Sequence, residues 1–429
     1  MPLSPTVVAL LGIALMLVVM LSRMPVAFAL MLVGFLGAWY MIGLDAAYQL
    51  LSSDVYGEFS SFSLSVIPLF ILMGQITFRA GISERLYDTA YKWIGSRPGG
   101  IAATTILASI GFSAVSGSNS ATTATMGAVA LPEMKKYGYA PSLSGGAIAI
   151  GGTLGVVIPP STALIIIAIQ SEQSITRLFV AAIIPGLVLG LVLLATVIIL
   201  CIRRPDLGPA GPRFSWSERF RSLAGVIEAV VLFTAVIGGL YLGWFTPTEA
   251  GAAGAFGAIL VALARRNLTF ATLWTAVRES LRISAMVVLL VTGAVVFGRF
   301  LTLTRLPFDL AAWAGDLPVA PVVVLLMILL IYVVGGALMD ALGFLVVSIP
   351  IFFPLAQALG YDPVWFTIII TLVTTLGAVT PPVGINVYIV SALDRSIDVM
   401  TTFRGVTVFA ISYAVTIALF IIFPGLVIT

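Results

Sequence analysis

Histidine is absent from these 429 residues, cysteine occurs once, and charged side chains make up only 9% of the chain. With no histidine and with Cys201 alone, there is no Cys/His metal site and no internal disulfide to build. The missing histidines, the lack of an HExxH pattern and the lack of a repeated acidic pair also remove the usual means of general acid–base catalysis, so an intramembrane enzyme is not expected. Soluble domains carry roughly 25% charged residues, so the scarcity of charge says that water is not the main solvent of this chain. What is present is apolar surface, 60% of all residues. Val7 to Leu21, Leu178 to Leu200 and Phe403 to Phe423 are each long enough to span a hydrocarbon layer, which needs about 20 residues. The first of them has no basic segment before it and no distinct small-residue cleavage site after it, and it reads as a retained helix rather than a signal peptide. The formal charge of +3 records orientation in a bilayer rather than a nucleic-acid partner.

The chain is duplicated. At an offset of 222, Ala130 to Pro160 aligns with Phe352 to Pro382 with 11 identities in 31 positions. The identities include Pro132/Pro354, Gly138/Gly360, Tyr139/Tyr361, Thr153/Thr375, Gly155/Gly377 and the tandem prolines Pro159-Pro160/Pro381-Pro382. Prolines and glycines fix backbone shape, so the shared feature is geometry. At an offset of 220, Arg79/Arg299, Arg85/Arg305, Trp93/Trp313 and Pro98/Pro318 also pair. The reading is a first repeat over 1–205, a cytoplasmic linker over 206–222 and a second repeat over 223–429.

Orientation follows from the tendency of Lys and Arg to stay in cytoplasmic loops. With the N-terminus outside, 18 of the 21 basic residues fall inside, Arg23 among them, and only Arg177, Arg299 and Arg305 remain outside. Arg79 and Arg85 then lie inside while their mates Arg299 and Arg305 lie outside. The two copies are inverted, a common arrangement in secondary transporters.

Each copy interrupts its apolar stretches near the middle. The segment 100–132 is broken at Ser116-Gly117-Ser118-Asn119-Ser120, leaving arms of 16 and 12 residues, and 321–354 is broken around Gly335 to Asp340. Both read as re-entrant helical hairpins, since irregular backbone at membrane depth survives only where protein or a polar cavity satisfies it. A helix with a Pro-Pro break follows each one, over 142–170 and 363–393. Amphipathic segments at 79–97 and 299–318 precede the hairpins and read as arms joining a fixed scaffold to a moving unit, with simple interfacial anchoring as the other reading. The helix Leu178 to Leu200 is counted with the scaffold.

Proline frees a carbonyl about four residues earlier. A hairpin tip facing an unwound helix therefore offers carbonyl and hydroxyl oxygens to a hard cation, while half-helix N-termini offer N–H groups to a carboxylate. For the small residues around Ser116 to Ser120, the competing reading is helix packing. The competing reading of Asp340 is a structural carboxylate bonded to backbone amides, but an acid at a membrane hairpin tip is a functional candidate by default. Glu228 and Glu249 read as interfacial.

These residues resemble the large membrane subunit of tripartite ATP-independent periplasmic (TRAP) transporters, the DctM-like proteins. The resemblance runs along essentially the whole chain, through Gly111 to Thr122, Gly155 to Ser161, Phe245 to Ala250 and Gly377 to Asn386. It implies an all-α polytopic protein of the bacterial inner membrane with an elevator-type ion-transporter fold. It also implies sodium as the coupling ion, a small organic acid as substrate, a periplasmic substrate-binding protein, and a small membrane subunit of about four helices. With no such subunit fused ahead of Met1, that subunit is expected as a separate chain. Carried over by motif, sodium ligands are expected among Ser116, Ser118, Asn119, Gly152, Gly155 and Pro159 at one site and Gly336, Asp340, Thr374, Thr375 and Thr380 at the other. Substrate contacts are expected from Ser118, Asn119, Ser161, Thr162, Asp340 and Asn386. A stand-alone sodium/dicarboxylate symporter of similar architecture is the second reading and a channel the third.

Overall fold

The computed structural model describes residues 3–22 and 24–427; Arg23, assigned above to an inner loop, lies outside the described residues. Helices account for every regular element among them. The first half contains α1 (Pro5–Leu21), α2 (Val26–Ile42), α3 (Leu44–Ser60), α4 (Val66–Arg79), α5 (Ile82–Ile94), α6 (Gly100–Ser116), α7 (Asn119–Lys136), α8 (Pro141–Val157), α9 (Thr162–Gln170) and α10 (Ile175–Arg203). After a short α11 (Trp216–Ser222), the second half contains α12 (Ile227–Tyr241), α13 (Pro247–Ala264), α14 (Phe270–Leu303), α15 (Leu306–Asp316), α16 (Pro321–Leu338), α17 (Ala341–Ala358), α18 (Pro363–Gly377), α19 (Ile385–Leu393) and α20 (Val399–Ile422). Seven helices among the described residues are long and apolar enough to cross a bilayer, or up to nine if each of two bent pairs is one span. This is a multi-pass membrane protein.

The two halves exchange partners reciprocally. Helix α2 packs along α14 and α13 packs along α4; α8 packs on α20 and α18 on α10; α7 meets α19 and α17 meets α9. An inverted repeat related by a two-fold axis produces this pattern, in which each contact between halves has a mate with the halves interchanged. The α2–α14 contact is close because both backbones are bare where they cross. A Cβ on Gly34 would lie 2.8 Å from the Phe297 nitrogen, and one on Gly293 would meet the Ala27 carbonyl.

Several local features depart from the sequence reading. Helix α7 does not stop at Pro132 but runs through it to Lys136, and α17 runs through Pro350 and Pro354 to Ala358. The second arm of the first hairpin is therefore 18 residues long rather than 12. Proline forfeits one intrahelical donor, and the remaining bonds with the surrounding packing carry the helix onward. The second arm segment is shorter than read. Arg299 belongs to the 34-residue α14, and the separate helix starts only after Arg305, whose φ is +60°. In the first half, α5 likewise starts after a left-handed residue, Gly81 at φ +73°.

The assignment of Leu178 to Leu200 to the scaffold is overturned. Helix α10 packs against its repeat mate α20 and against α6, α8 and α18 of the hairpin and broken-helix elements, and so belongs to their unit. The scaffold is instead built from α1, α2, α4, α13 and α14, with α3 laid on α2 and α14. Glu228, at the start of α12, accepts from Arg85 Nη2 at 2.7 Å and pairs with Arg265 as well. Glu249 closes a capping box with Thr246 at the start of α13. The linker lies across the base of the first hairpin, where Gly99 N–H donates to Gly208 O at 2.7 Å and Ala140 N–H donates to Leu207 O at 2.9 Å.

Candidate functional site

Helix α6 ends because Gly117 adopts φ +62°, a left-handed conformation that glycine takes without a Cβ penalty. Ser118 then caps α7, accepting from the Ala121 N–H at 3.4 Å. The resulting tip is seated on the break between α8 and α9. Thr162 binds the Gly117 carbonyl twice, through its hydroxyl at 2.9 Å and its backbone N–H at 3.3 Å. From below, Gly152 and Gly155 let the tip approach. A Cβ on Gly155 would overlap the Ser118 carbonyl oxygen, and one on Gly152 would overlap the Thr123 hydroxyl.

The second half repeats the arrangement. Asp340 caps α17, its Oδ2 accepting from the Leu342 N–H at 3.2 Å. The Ala337 carbonyl accepts from the N–H groups of Val383 at 3.2 Å and Gly384 at 3.4 Å. Gly384 is the offset-222 mate of Thr162, so in both halves one tip carbonyl takes its donors from the start of the second half-helix. Gly377, the mate of Gly155, faces the Val333 carbonyl, where a Cβ would lie at 2.6 Å.

Asn119 and Asn386 join the halves. The Asn386 Nδ2 donates to Asn119 Oδ1 at 2.6 Å and to the Ala149 carbonyl at 2.8 Å. Its Oδ1 is buried and has no donor among the described residues. A buried acceptor without a donor suits a cation or a substrate hydroxyl.

Above the tips is a cavity of about 550 Å³, lined by Ser116, Ser118, Asn119 and Ser120 of the first tip, by Thr162, and by Asp340 to Leu342 of the second. Five of the sequence-derived site residues thus share one space: Ser116, Ser118, Asn119, Thr162 and Asp340. Ser161 is fully buried and caps α9, accepting from the Leu164 N–H at 3.4 Å. The backbone of Thr374 faces Gly336. Its hydroxyl is spent on the Ile370 carbonyl at 2.6 Å, and that of Thr380 on the Gly377 carbonyl at 2.9 Å. Thr375 points away from the cavity, to Tyr413. The opposite wall comes from α4 and α14, with Gln75, Phe78, Met286 and Val287. None of those four was read from the sequence, and only Gln75, a lone amide in an apolar helix, carried a signal.

Residues 13–426 match the family described as the DctM component of the tripartite ATP-independent periplasmic transporter. The chain belongs to this family. It is 35% identical over 333 residues to the C4-dicarboxylate TRAP transporter large permease protein DctM of Pseudomonas aeruginosa, covering 77% of this chain and 78% of that one. It is 32% identical over 407 residues to the 2,3-diketo-L-gulonate TRAP transporter large permease protein YiaN of Escherichia coli, covering 94% of both. The sialic acid TRAP transporter large permease protein SiaM of Vibrio cholerae shares 31% over 404 residues, 94% of this chain and 93% of that one. Among solved structures, the Alcanivorax borkumensis YdaH transporter superposes with a TM-score of 0.62 over 90% of each chain at 15% identity, a likeness of fold alone. As a TRAP large permease subunit, the chain is a transporter component rather than an enzyme.

Proposed function

We propose that this DctM-family subunit carries an organic anion across the bacterial inner membrane, driven by sodium, by an elevator movement of the hairpin unit against the scaffold. The carrying observation is the cavity of about 550 Å³ between scaffold helices and two hairpin tips, each tip docked on a broken helix. Serine and threonine hydroxyls, tip carbonyls and the orphaned Asn386 Oδ1 form a neutral oxygen set suited to a hard monovalent cation. The N-termini of α7 and α17 open into the same cavity and favour a carboxylate. In this reading Ser116, Ser118 and Asn119 with the Gly152 to Pro159 turn hold one sodium, and Gly336 and Asp340 with the Thr374 to Thr380 turn hold the other. Ser118, Asn119, Ser161, Thr162, Asp340 and Asn386 form the substrate surround. The substrate arrives on a periplasmic binding protein, and a separate small membrane subunit completes the complex.

Two measurements test this. Uptake by the reconstituted complex should stop when external sodium is replaced by choline at fixed pH; uptake sustained by a pH gradient alone would overturn the cation reading. Transport by this chain reconstituted without its partners would favour a stand-alone symporter. For the movement, spin labels at Ala124 on α7 and Met286 on α14, both facing the cavity, in a Cys201→Ser background, should give two distances differing by more than one helical turn, about 5 Å. A single narrow distance with and without sodium, in a variant that still transports, would replace the elevator with local gating.

A further inference from the structure

We propose that the hydroxyl of Tyr413 is a positioning group that ties together the broken helices of the two repeats and so sets the cation affinity of the site. This rests on the sodium reading above.

Tyr413 lies on α20 with no solvent exposure, and its Oη is 2.7 Å from Thr375 Oγ1 on α18. Thr153 on α8, the offset-222 mate of Thr375, stands beside the same phenol. One tyrosine therefore sits where equivalent threonines of the two halves converge. Helix α10, which occupies the place of α20 in the first half, contains no tyrosine, so the phenol has no counterpart there.

A count of protons gives this placement its force. Thr153 spends its hydroxyl proton on the Ile150 carbonyl at 2.6 Å. Thr375 has the Thr371 and Leu372 carbonyls each at 2.9 Å and donates toward its own helix. Both threonines then present only lone pairs, and the phenol proton goes to Thr375 Oγ1 at 2.7 Å, with Thr153 of the other repeat as the neighbouring acceptor. When it serves Thr375 it cannot serve Thr153.

The affected turns lead directly into the site. Gly155 follows Thr153 by two residues and takes the first tip at the Ser118 carbonyl; Gly377 follows Thr375 by two and takes the second tip at the Val333 carbonyl and the Ala337 nitrogen. Backbone contacts of this kind have no side-chain freedom to absorb a shift. A displacement of either broken helix at its threonine is passed to the tip above it, and through the phenol to the other repeat.

The test is a sodium titration of thermal stability on the purified complex, with choline replacing sodium at constant ionic strength, for wild type, Tyr413→Phe and Tyr332→Phe. Phenylalanine keeps the ring that fills the site and removes only the hydroxyl. Tyr332 is equally buried and hydrogen-bonds none of the threonines among the described residues. Loss of one bond that holds the site in shape should raise the half-saturating sodium concentration of Tyr413→Phe by about 3- to 10-fold. The melting temperature in choline reports the purely structural effect separately, and Tyr332→Phe should titrate like wild type. An unshifted titration for Tyr413→Phe, or an equal shift for Tyr332→Phe, overturns the proposal. A wild type with no sodium response overturns the sodium reading itself, a different outcome in the same experiment.

Discussion

Replacing Gly155 with alanine probes the seating of the first tip with a single methyl group. Built on the existing backbone, that methyl overlaps the Ser118 carbonyl oxygen and lies 2.6 Å from the Thr122 hydroxyl and 2.8 Å from the Ser118 carbonyl carbon. Thr122 can rotate, but the Ser118 carbonyl is main chain, already accepts from Thr122 at 2.8 Å, and starts α7. The tip must therefore lift. Overpacking of a rigid contact costs about 1–3 kcal/mol, and because the tip and broken helix together form the proposed cation site, most of that cost should appear as lost sodium affinity. A site half-saturated at about 10 mM stabilises the fold by about 1.4 kcal/mol at 100 mM sodium, and a tenfold weaker site by about 0.4 kcal/mol. The assay is the melting temperature of the purified complex in sodium against choline. Gly155→Ala should lose most of the sodium-induced rise. Gly315→Ala is the control, since a Cβ there meets nothing within 4 Å. A full sodium response in Gly155→Ala would falsify the assignment of the first tip to cation binding.

Thr162→Val removes the 2.9 Å hydroxyl bond to the Gly117 carbonyl and leaves the 3.3 Å backbone bond, so half-saturating sodium should rise about 2- to 10-fold; no change would detach the α9 start from the site. Glu228→Gln leaves the partly buried Arg85 without its carboxylate and should lower stability by about 1–3 kcal/mol, read as a lower melting temperature in sodium and choline alike. At the C-terminal end of α19, Asp394 is held below the usual carboxylate range by the Ser396 hydroxyl at 2.6 Å and backbone N–H at 2.9 Å, helped by Lys135 at 3.3 Å. A lowered folded value means its stability contribution is present above the ordinary carboxylate value and is lost as pH falls through the lowered one. Ser396→Ala should therefore narrow that contribution and move the acid midpoint of unfolding upward, and an unmoved midpoint would argue against this bond.

The breaks were legible because their chemistry is local. Pro159-Pro160, Pro381-Pro382 and the Gly117 turn act on their own backbone whatever surrounds them. The limits of the hairpin helices were less legible. Pro132 and Pro354 read as ends in isolation, but packing carries the helices past them. Partnership between helices was least legible of all. Hydropathy reports whether a residue meets lipid or protein, not which protein, so α10 looked like scaffold although its neighbours are α6, α8, α18 and α20. The far wall of the cavity was hidden for the same reason: Met286 and Val287 are ordinary apolar residues until α14 is brought opposite the tips. Tyr413 had no repeat mate to draw attention to it.

The two kinds of contact in the molecule differ in a way that bears on motion. Within the scaffold, α2 and α14 touch backbone to backbone through Gly34 and Gly293, a seam that cannot slide without losing close packing along its length. Between scaffold and tips there is a void of about 550 Å³, with hydroxyls and an acid on one side and Phe78, Met286 and Val287 on the other, bordered by a direct contact where a Cβ on Gly74 of α4 would lie 3.2 Å from the Val115 carbonyl. The tips themselves are held to the broken helices by carbonyl bonds, and the first tip is joined to the second half by Asn119 and Asn386. The arms complete the mechanical picture: α5 packs on α6 and α15 on α17, and each arm begins at a left-handed residue, Gly81 or Arg305. Two left-handed residues thus stand at matching places in the inverted halves, where the proposed elevator movement would need its hinges.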